Sequence, residues 1–246
     1  MLKQDLNEEI FMKIILRLLI ALFAFMPYAQ ASWNVYGGIG LGLSKSQNTF
    51  KAYLKNGLGE SSLILNMDTT GWNESLILGA RNQQPNFFYS GELFTSLHQY
   101  HIKRKGNSFY DPGLGVNLPI GVADFEVSQK YSNGVSFLFG KDLTKTVDVF
   151  LKFDFFVSQF RIKYVNSNSP GIHGQERKWI FGYAPGVGLQ FKLTDSMATR
   201  VDYTYRIYNN FQSKNISQET VVRNTIFTGK ILPRIHQFTI SLIYNF

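Results

Sequence analysis

The stretch VDVFLKFDFFVS, residues 147–158, decides the fold class because its polarity alternates with a period of two. Successive side chains of a β-strand point to opposite faces, so the stretch has one apolar face and one polar face. The apolar face carries Val147, Val149, Leu151, Phe153, Phe155 and Val157. The other face carries Asp148, Lys152, Asp154 and Ser158, which predicts a strand between two different environments.

Seven further runs alternate in the same way and predict seven more strands, at residues 33–43, 74–81, 87–98, 135–141, 179–192, 199–208 and 237–246. Their register is strongly specified, because a slip of one residue exchanges the two faces. A slip in the run 199–208 would point Arg200 and Arg206 at the apolar side, and each arginine facing lipid costs roughly 2–4 kcal/mol near the midplane.

The connections between these runs alternate in length. Residues 83–86, 142–146 and 193–196 are short, whereas residues 45–73, 99–134, 159–178 and 209–235 are long and polar. This alternation is typical of bacterial outer-membrane barrels, which have short periplasmic turns and longer external loops. We therefore predict an all-β fold, a transmembrane antiparallel up-and-down β-barrel of eight strands, with both termini in the periplasm. A ten-stranded barrel stays open, because residues 114–130 could form another hairpin.

The N-terminal residues resemble a secretory signal peptide. Lys13 and Arg17 precede an uncharged apolar run at residues 18–26, and Ala29-Gln30-Ala31 is a small-residue cleavage site. The apolar run is shorter than the roughly 20 residues of a transmembrane helix. We expect residues 1–31 to be cleaved, with Met12 as the true start, and residues 32–246 to be the barrel domain. The chain has no cysteine, so disulfides do not stabilise it.

The C-terminus adds a resemblance to a known family. Residues 240–246, ISLIYNF, end on an aromatic residue and alternate in polarity, like the terminal strand that outer-membrane barrels present to the insertion machinery. Residues 184–196 with 200–206 resemble the last hairpin of the OmpA-like and opacity-protein barrels, which are porin-like and eight-stranded. The resemblance implies that Tyr244 and Phe246 form the assembly signal. It does not imply one activity, since such folds serve many functions.

Six charged residues fall on the inward face of the predicted barrel: Glu92, Lys152, Asp154, Arg200, Asp202 and Arg206. An eight-stranded barrel is just wide enough for side chains to fill it, so these three acids and three bases must pair. They form either a salt-bridge plug or the lining of a small pore. Ser96 and His98 share a face with Glu92, and this face points into the barrel. A lipid-modifying hydrolase would need its catalytic residues to face the lipid. We predict no catalytic, cofactor or metal site.

The long connections are basic. Residues 159–178 and 209–235 each hold four cations and one acid, for a net charge of +3. The basic residues assigned to external loops are Arg161, Lys163, Arg177, Lys178, Lys214, Arg223, Lys230 and Arg234. We expect them to attract lipopolysaccharide phosphates or anionic host polymers. Outer-membrane lipid and the barrel-insertion machinery are the other expected partners, a specific surface ligand is not identified, and nucleic acid is excluded in this compartment.

The predicted function is a non-enzymatic outer-membrane barrel with a structural or surface-interaction role, similar to that of an adhesin. A small-solute or ion pore is the first alternative, because inward charges also suit a pore. A lipid A-modifying enzyme is the third possibility.

Overall fold

The computed structural model describes residues 33–56, 59–106, 109–111, 116–118, 123–166, 173–214 and 226–246. The predicted signal peptide therefore lies outside the described residues, as does Arg223. Within the described residues there are eleven strands, and no helix is long and apolar enough to cross a membrane.

The strands in chain order are β1 Trp33–Asn56, β2 Gly59–Gln83, β3 Phe88–Gly106, β4 Phe109–Asp111, β5 Val116–Leu118, β6 Ala123–Asp142, β7 Val147–Asn166, β8 His173–Lys192, β9 Met197–Tyr208, β10 Phe211–Lys214 and β11 Ile226–Asn245. Eight of them are long and pair in the order β1-β11-β9-β8-β7-β6-β3-β2, and β2 pairs with β1 again. The sheet is thus a closed antiparallel barrel of eight strands, as the alternation predicted.

The three short strands add no strand to the barrel. β10 continues the line of β9 along β11, after an irregularity at Asn209 and Asn210. β4 and β5 pair with each other, and β4 also pairs with β2. Because β3 pairs directly with β6, the ten-stranded alternative for residues 114–130 is wrong. This range holds only β5 and the beginning of β6 among its described residues.

Both described chain ends and the three short turns lie at one end of the barrel, named the turn end. Tyr36 on β1 is opposite Asn245 on β11 there. Thr144 and Thr194 accept hydrogen bonds from the amides of Val147 and Met197, each at 3.0 Å, and so close two of the turns. The short connections predicted at residues 142–146 and 193–196 are therefore tight turns.

The four long connections are different from the prediction. Most residues assigned to loops continue the strands, so β1 has 24 residues and β2 has 25. A tilted strand crosses a membrane in about 9–11 residues. The barrel wall is therefore longer than the membrane requires. Prediction missed this because it identified strands by apolar outward faces, and the outer wall is polar beyond residue 158 of β7.

The change of polarity is clearest on β11. At the turn end its outward residues are apolar (Leu242, Ile240, Phe238) and its inward residues are polar (Ser241, Thr239, Gln237). Further along, the outward residues His236, Arg234 and Lys230 are basic, with Leu232 among them, and the buried inward residues are Ile235 and Ile231. The polarity of the two faces has therefore inverted within one strand.

β7 changes in the same way. Its outward face runs from Leu151, Phe153 and Phe155 to Gln159, Arg161 and Lys163, while Phe160 and Ile162 are buried inside. A polar outer face over an apolar core is the arrangement of a strand in water. We name residues 159–166 of β7 and 226–236 of β11, with the segments that pair with them, the extension. The rest of the wall is the membrane barrel.

Candidate functional site

The middle of the membrane barrel contains a buried ion pair between β3 and β9. Arg200 Nη1 contacts Glu92 Oε1, and both side chains are almost fully buried. The Tyr36 hydroxyl donates to the same carboxylate oxygen at 2.6 Å, and Arg200 Nη2 donates to Gln190 Oε1 at 3.0 Å. The predicted inward charges Glu92 and Arg200 therefore form one network. Tyr36 and Gln190 belong to it but were not predicted, because neither carries a charge.

Lys152 forms the second interior ion pair. Its ammonium lies 3.3 Å from Asp202 Oδ1 and 3.8 Å from Asp154 Oδ2. One cation thus serves two buried carboxylates, one on its own strand and one on β9. The Lys152, Asp154 and Asp202 side chains come together as predicted, although Asp202 pairs with Lys152 rather than with the arginines of its own strand.

Arg206 has a different environment from that predicted. Its Nη1 lies 3.2 Å from His98 Nε2 and 3.2 Å from Ser132 Oγ. Its guanidinium lies over the Phe156 ring, 4.5 Å from the centroid. Neutral polar groups and an aromatic face surround this arginine, and none of the described ion pairs includes it. The prediction that three acids pair with three bases is therefore wrong for Arg206, which contacts neither Glu92, Asp154 nor Asp202 in the described ion pairs.

A further ion cluster at the turn end was missed. Arg81 Nη1 lies 2.8 Å from Asp148 Oδ2, and Lys192 Nζ lies 3.3 Å from the other oxygen of the same carboxylate. Asp142 lies 3.5 Å from Arg81, whose guanidinium also stacks on the Phe88 ring. In the sequence, Asp148 and Lys192 alternate with the apolar residues of their strands. This pattern places them on the inward face, where such a cluster would form. Arg81 was harder to assign, because it is the last residue of its run.

Ser96 and His98 do not pair as a hydrolase would require. His98 Nε2 lies 2.9 Å from Ser132 Oγ on β6, and Ser132 is 2.5 Å from Ser158 Oγ. Ser96 and His98 are both buried inside the barrel. The histidine thus links β3 to β6, β7 and β9 through polar contacts, which is a packing role.

Aromatic side chains fill the space between these networks. The rings of Phe150 and Tyr36 flank Arg200, and Phe160 packs edge-on against Tyr208 at 5.1 Å. Gly79 and Gly188 provide the necessary space, because a Cβ atom there would lie 2.6 Å from the Tyr36 ring or 2.3 Å from that of Phe150. Small inward residues therefore let bulky partners cross a narrow barrel. Ion pairs and aromatic rings therefore occupy the interior at the levels of Tyr36, Phe150 and Phe160.

Phe246, the predicted end of the assembly signal, lies at the seam between β11 and β1. Its amide donates to the carbonyl of Val35 at 3.0 Å, and its ring lies beside Gly37. Tyr244 and Phe246 contact edge to face at 5.5 Å, and both are exposed on the outer wall. Their position is compatible with the predicted role in assembly, which stays a prediction.

The basic residues assigned to external loops lie on strands where the structure describes them. Arg161 and Lys163 are in β7, Arg177 and Lys178 in β8, Lys214 in β10, and Lys230 and Arg234 in β11. The loop assignment is therefore wrong for these seven. The strands continue because inward apolar residues such as Ile162 and Ile231 give them a core.

The outer wall of the membrane barrel identifies the class of protein. Its middle is apolar, with Leu41, Leu151, Ile240 and Phe137 exposed, and tryptophan and tyrosine residues border this zone on both sides. Trp33, Tyr89 and Tyr244 lie near the turn end, and Trp72, Tyr131 and Trp179 lie near the extension. An apolar band between two aromatic girdles on a closed barrel is the signature of an outer-membrane protein. The protein is an integral β-barrel of this class.

Solved structures with a similar fold include Ail, the attachment invasion locus protein of Yersinia pestis, at 13% identity over 85% of this chain and 99% of that chain, with a TM-score of 0.35. Neisserial surface protein A matches at 12% identity, over 85% and 97%, with a TM-score of 0.37. The outer membrane protein AlkL matches at 14% identity, over 88% and 93%, with a TM-score of 0.33.

Identities and TM-scores this low do not transfer a family, a ligand or an activity to this chain. No family model matches the chain, and no curated protein does.

Proposed function

We propose that this protein is a non-enzymatic outer-membrane barrel, closed to solutes, that anchors a rigid extension with a surface-interaction role. The packed interior is the observation that carries the proposal. Tyr36 and Phe150 are almost fully buried beside Arg200, and Arg206 and Phe160 are almost fully buried further along the barrel. A water-filled channel would leave such side chains accessible. Ion pairs and aromatic rings together therefore act as a plug.

The orientation is part of the proposal. Short turns of outer-membrane barrels face the periplasm, and the longer elements face outwards. The turn end, with both described chain ends, would then lie in the periplasm. The extension would project from the cell surface, where its polar wall meets water and any partner.

The extension suits a surface role because it has its own core. Ile162, Ile231, Ile235 and Val127 are buried inside it and come from β7, β11 and β6. Each buried aliphatic side chain contributes roughly 1.5–3 kcal/mol relative to exposure. Such packing keeps the outer wall in one shape, which lowers the entropy cost of binding a partner.

Conductance in planar lipid bilayers tests the proposal against a small pore. The wild-type protein is expected to insert without steady current steps. Arg206→Ala, which removes a large and almost fully buried interior side chain, is expected to give brief openings and so to prove that the protein has inserted. Steady, open-pore conductance of the wild type would favour the pore.

Lipid A mass spectrometry tests the non-enzymatic part. Ser96 and His98 are buried in the interior rather than exposed to lipid, which argues against a lipid-modifying hydrolase. Cells that express the protein are therefore expected to have the same lipid A species as cells that lack it. A species that appears with the wild type and disappears with His98→Ala would overturn this part.

A further inference from the structure

Six outward-facing cations lie on one side of the barrel, beginning just beyond the apolar band and extending about six residues further along the strands. They are on β1, β7, β8 and β11, and we name them the cationic arc: Lys45, Lys51, Arg161, Arg177, Lys230 and Arg234. Among the described residues of these four strands, no acid shares the outward face beyond the band. Neither Arg177 nor Arg234 takes part in any of the described ion pairs.

Strands β6, β3 and β2, which follow β7 around the barrel and which we name the mixed side, have a mixed charge at the same end. Asp68 and Glu74 lie outward on β2, and Glu126 lies outward on β6. Glu126 pairs with Lys163 at 3.9 Å and lies 3.5 Å from His101. The positive charge is thus concentrated on one side instead of being spread around the wall as a solubilising surface would be.

Two pairs within the cationic arc have like charges directly opposite each other. Arg161 faces Arg177 across β7 and β8, and Lys51 faces Lys230 across β1 and β11. Directly opposite like charges on one face of an antiparallel pair are destabilising. Gln175 accepts a hydrogen bond from Arg161 at 2.5 Å, but an amide does not neutralise the repulsion. A bound anion would.

The depth of the cationic arc indicates where this anion would come from. Arg177 is one outward position beyond Trp179, and Lys45 is one outward position beyond Leu43. Two residues of strand rise by about 7 Å, and less along the normal when the strand is tilted. The headgroup zone of a bilayer is roughly 5–7 Å thick on each side. The first cations of the arc are therefore at headgroup depth.

Aromatic residues border the arc on its membrane side. The Tyr203 hydroxyl lies 2.7 Å from His236 Nδ1, and the Tyr205 ring stacks on the same imidazole at 4.8 Å. His236 is directly opposite Lys45. Tyrosine and tryptophan rings favour the membrane interface, which places the adjoining cations among headgroups.

From these observations we infer that the cationic arc binds the phosphate groups of a phosphorylated glycolipid in the surrounding leaflet. Arginine suits this ligand because its guanidinium binds phosphate oxygens through paired hydrogen bonds. The inference deepens the proposed surface role and rests on it for the choice of leaflet. The mixed side would bind the same glycolipid more weakly. The phosphorylated glycolipid would therefore be bound preferentially at the cationic arc.

The test uses the full-length protein in nanodiscs of phosphatidylcholine alone, with bisphosphorylated lipid A, or with dephosphorylated lipid A. The measurement is the midpoint temperature at which the folded band disappears on a gel. Only the bisphosphorylated lipid is expected to raise the midpoint of the wild type. Arg161→Gln with Arg177→Gln should lose at least half of this rise. In phosphatidylcholine alone the same variant should be at least as stable as the wild type, because the repulsion is gone.

Single variants give a matched control. Arg177→Gln and Lys130→Gln each remove one exposed cation at the same end, but Lys130 lies on the mixed side. Only Arg177→Gln should reduce the rise. An equal rise in the double variant, or a rise with dephosphorylated lipid, would overturn the inference. Soluble dextran sulfate that stabilises the wild type as well as the lipid does would also overturn it, in favour of an anionic polysaccharide.

The two proposals can fail separately. A conducting wild-type barrel would refute the plug and leave the lipid response unaffected. An absent lipid response in a barrel that stays electrically silent would refute the inference alone.

Discussion

The two ends of β11 show how one strand adapts to two solvents. Between Phe238 and Leu242 the outward residues are apolar and the inward residues are hydroxyls or amides. Between Lys230 and His236 three of the four outward residues are basic and the fourth is Leu232, and the inward residues are Ile231, Pro233 and Ile235. The backbone geometry continues unchanged, so the position of the inversion reports where lipid ends.

The comparison also shows that the two regions are stabilised differently. The membrane barrel depends on buried charges that must stay paired, because an unpaired charge there has no water. The extension depends on apolar packing, and its outward charges are solvated, whereas Arg206, opposite Ile235, is buried among neutral partners. Removal of a buried charge should therefore lower the free energy of unfolding strongly in the membrane barrel. Removal of an outward charge should lower it little in the extension, where removal of a buried aliphatic group should have the larger effect.

The largest effect is expected for Glu92→Ala in the membrane barrel. It removes the carboxylate from buried Arg200, and breaking a buried pair costs roughly 3–5 kcal/mol. Asp202→Ala should lower the free energy of unfolding by less, because Lys152 still has Asp154 as an ion-pair partner. Thr204→Ala on the same face should cost little. Urea unfolding of the protein in lipid vesicles measures all three, and equal free energies for the three variants would refute the network.

A smaller effect is expected for Ile162→Ala in the extension. A buried isoleucine truncated to alanine costs about 2–5 kcal/mol when the site cannot collapse, and the lower part of that range applies near a strand end. Lys163→Ala, next to it on the outward face, removes only a surface ion pair worth about 0–1 kcal/mol. If both variants unfold at the same urea concentration, the extension has no core of its own.

The smallest effect on the free energy of unfolding is expected for two substitutions by cysteine at exposed positions. They test the orientation of the barrel in the membrane directly. Gln175→Cys lies in the extension and Lys145→Cys in a turn at the other end. Lys145→Cys should leave stability unchanged, and Gln175→Cys should change it little, because both side chains are exposed and Gln175 loses only one exposed hydrogen bond. A membrane-impermeant maleimide should label the first in intact cells and the second only after lysis. Labelling of the turn cysteine in intact cells would reverse the orientation.

The sequence predicted the membrane barrel well because lipid imposes a strict alternation. Leu151 and Asp154 fall on opposite faces in the sequence pattern and in the structure. The charged interior residues were found for the same reason. The partners of these charged residues were predicted only in part. Alternation along a strand shows which face a residue is on. Its position along the barrel axis depends on the pairing register between strands.

The extension could not be identified by the same rule. Ile162 and Ile231 are inward apolar residues, but they lie between charges in stretches that look like polar loops. An inverted alternation after residue 158 was the available signal. Arg206 shows a second limit: its inward direction was predicted, whereas its histidine and serine partners come from β3 and β6, far away in the chain.

An arginine scan along the outward face of β7 tests the two-solvent account most directly. Leu151→Arg, Phe155→Arg and Gln159→Arg place the same charge at increasing distance from the turn end, and the free energy of unfolding in lipid vesicles is measured for each. We expect a cost of roughly 2–4 kcal/mol at Leu151, a smaller one at Phe155 and almost none at Gln159. An equal cost at Leu151 and Gln159, or no cost at Leu151, would contradict the account.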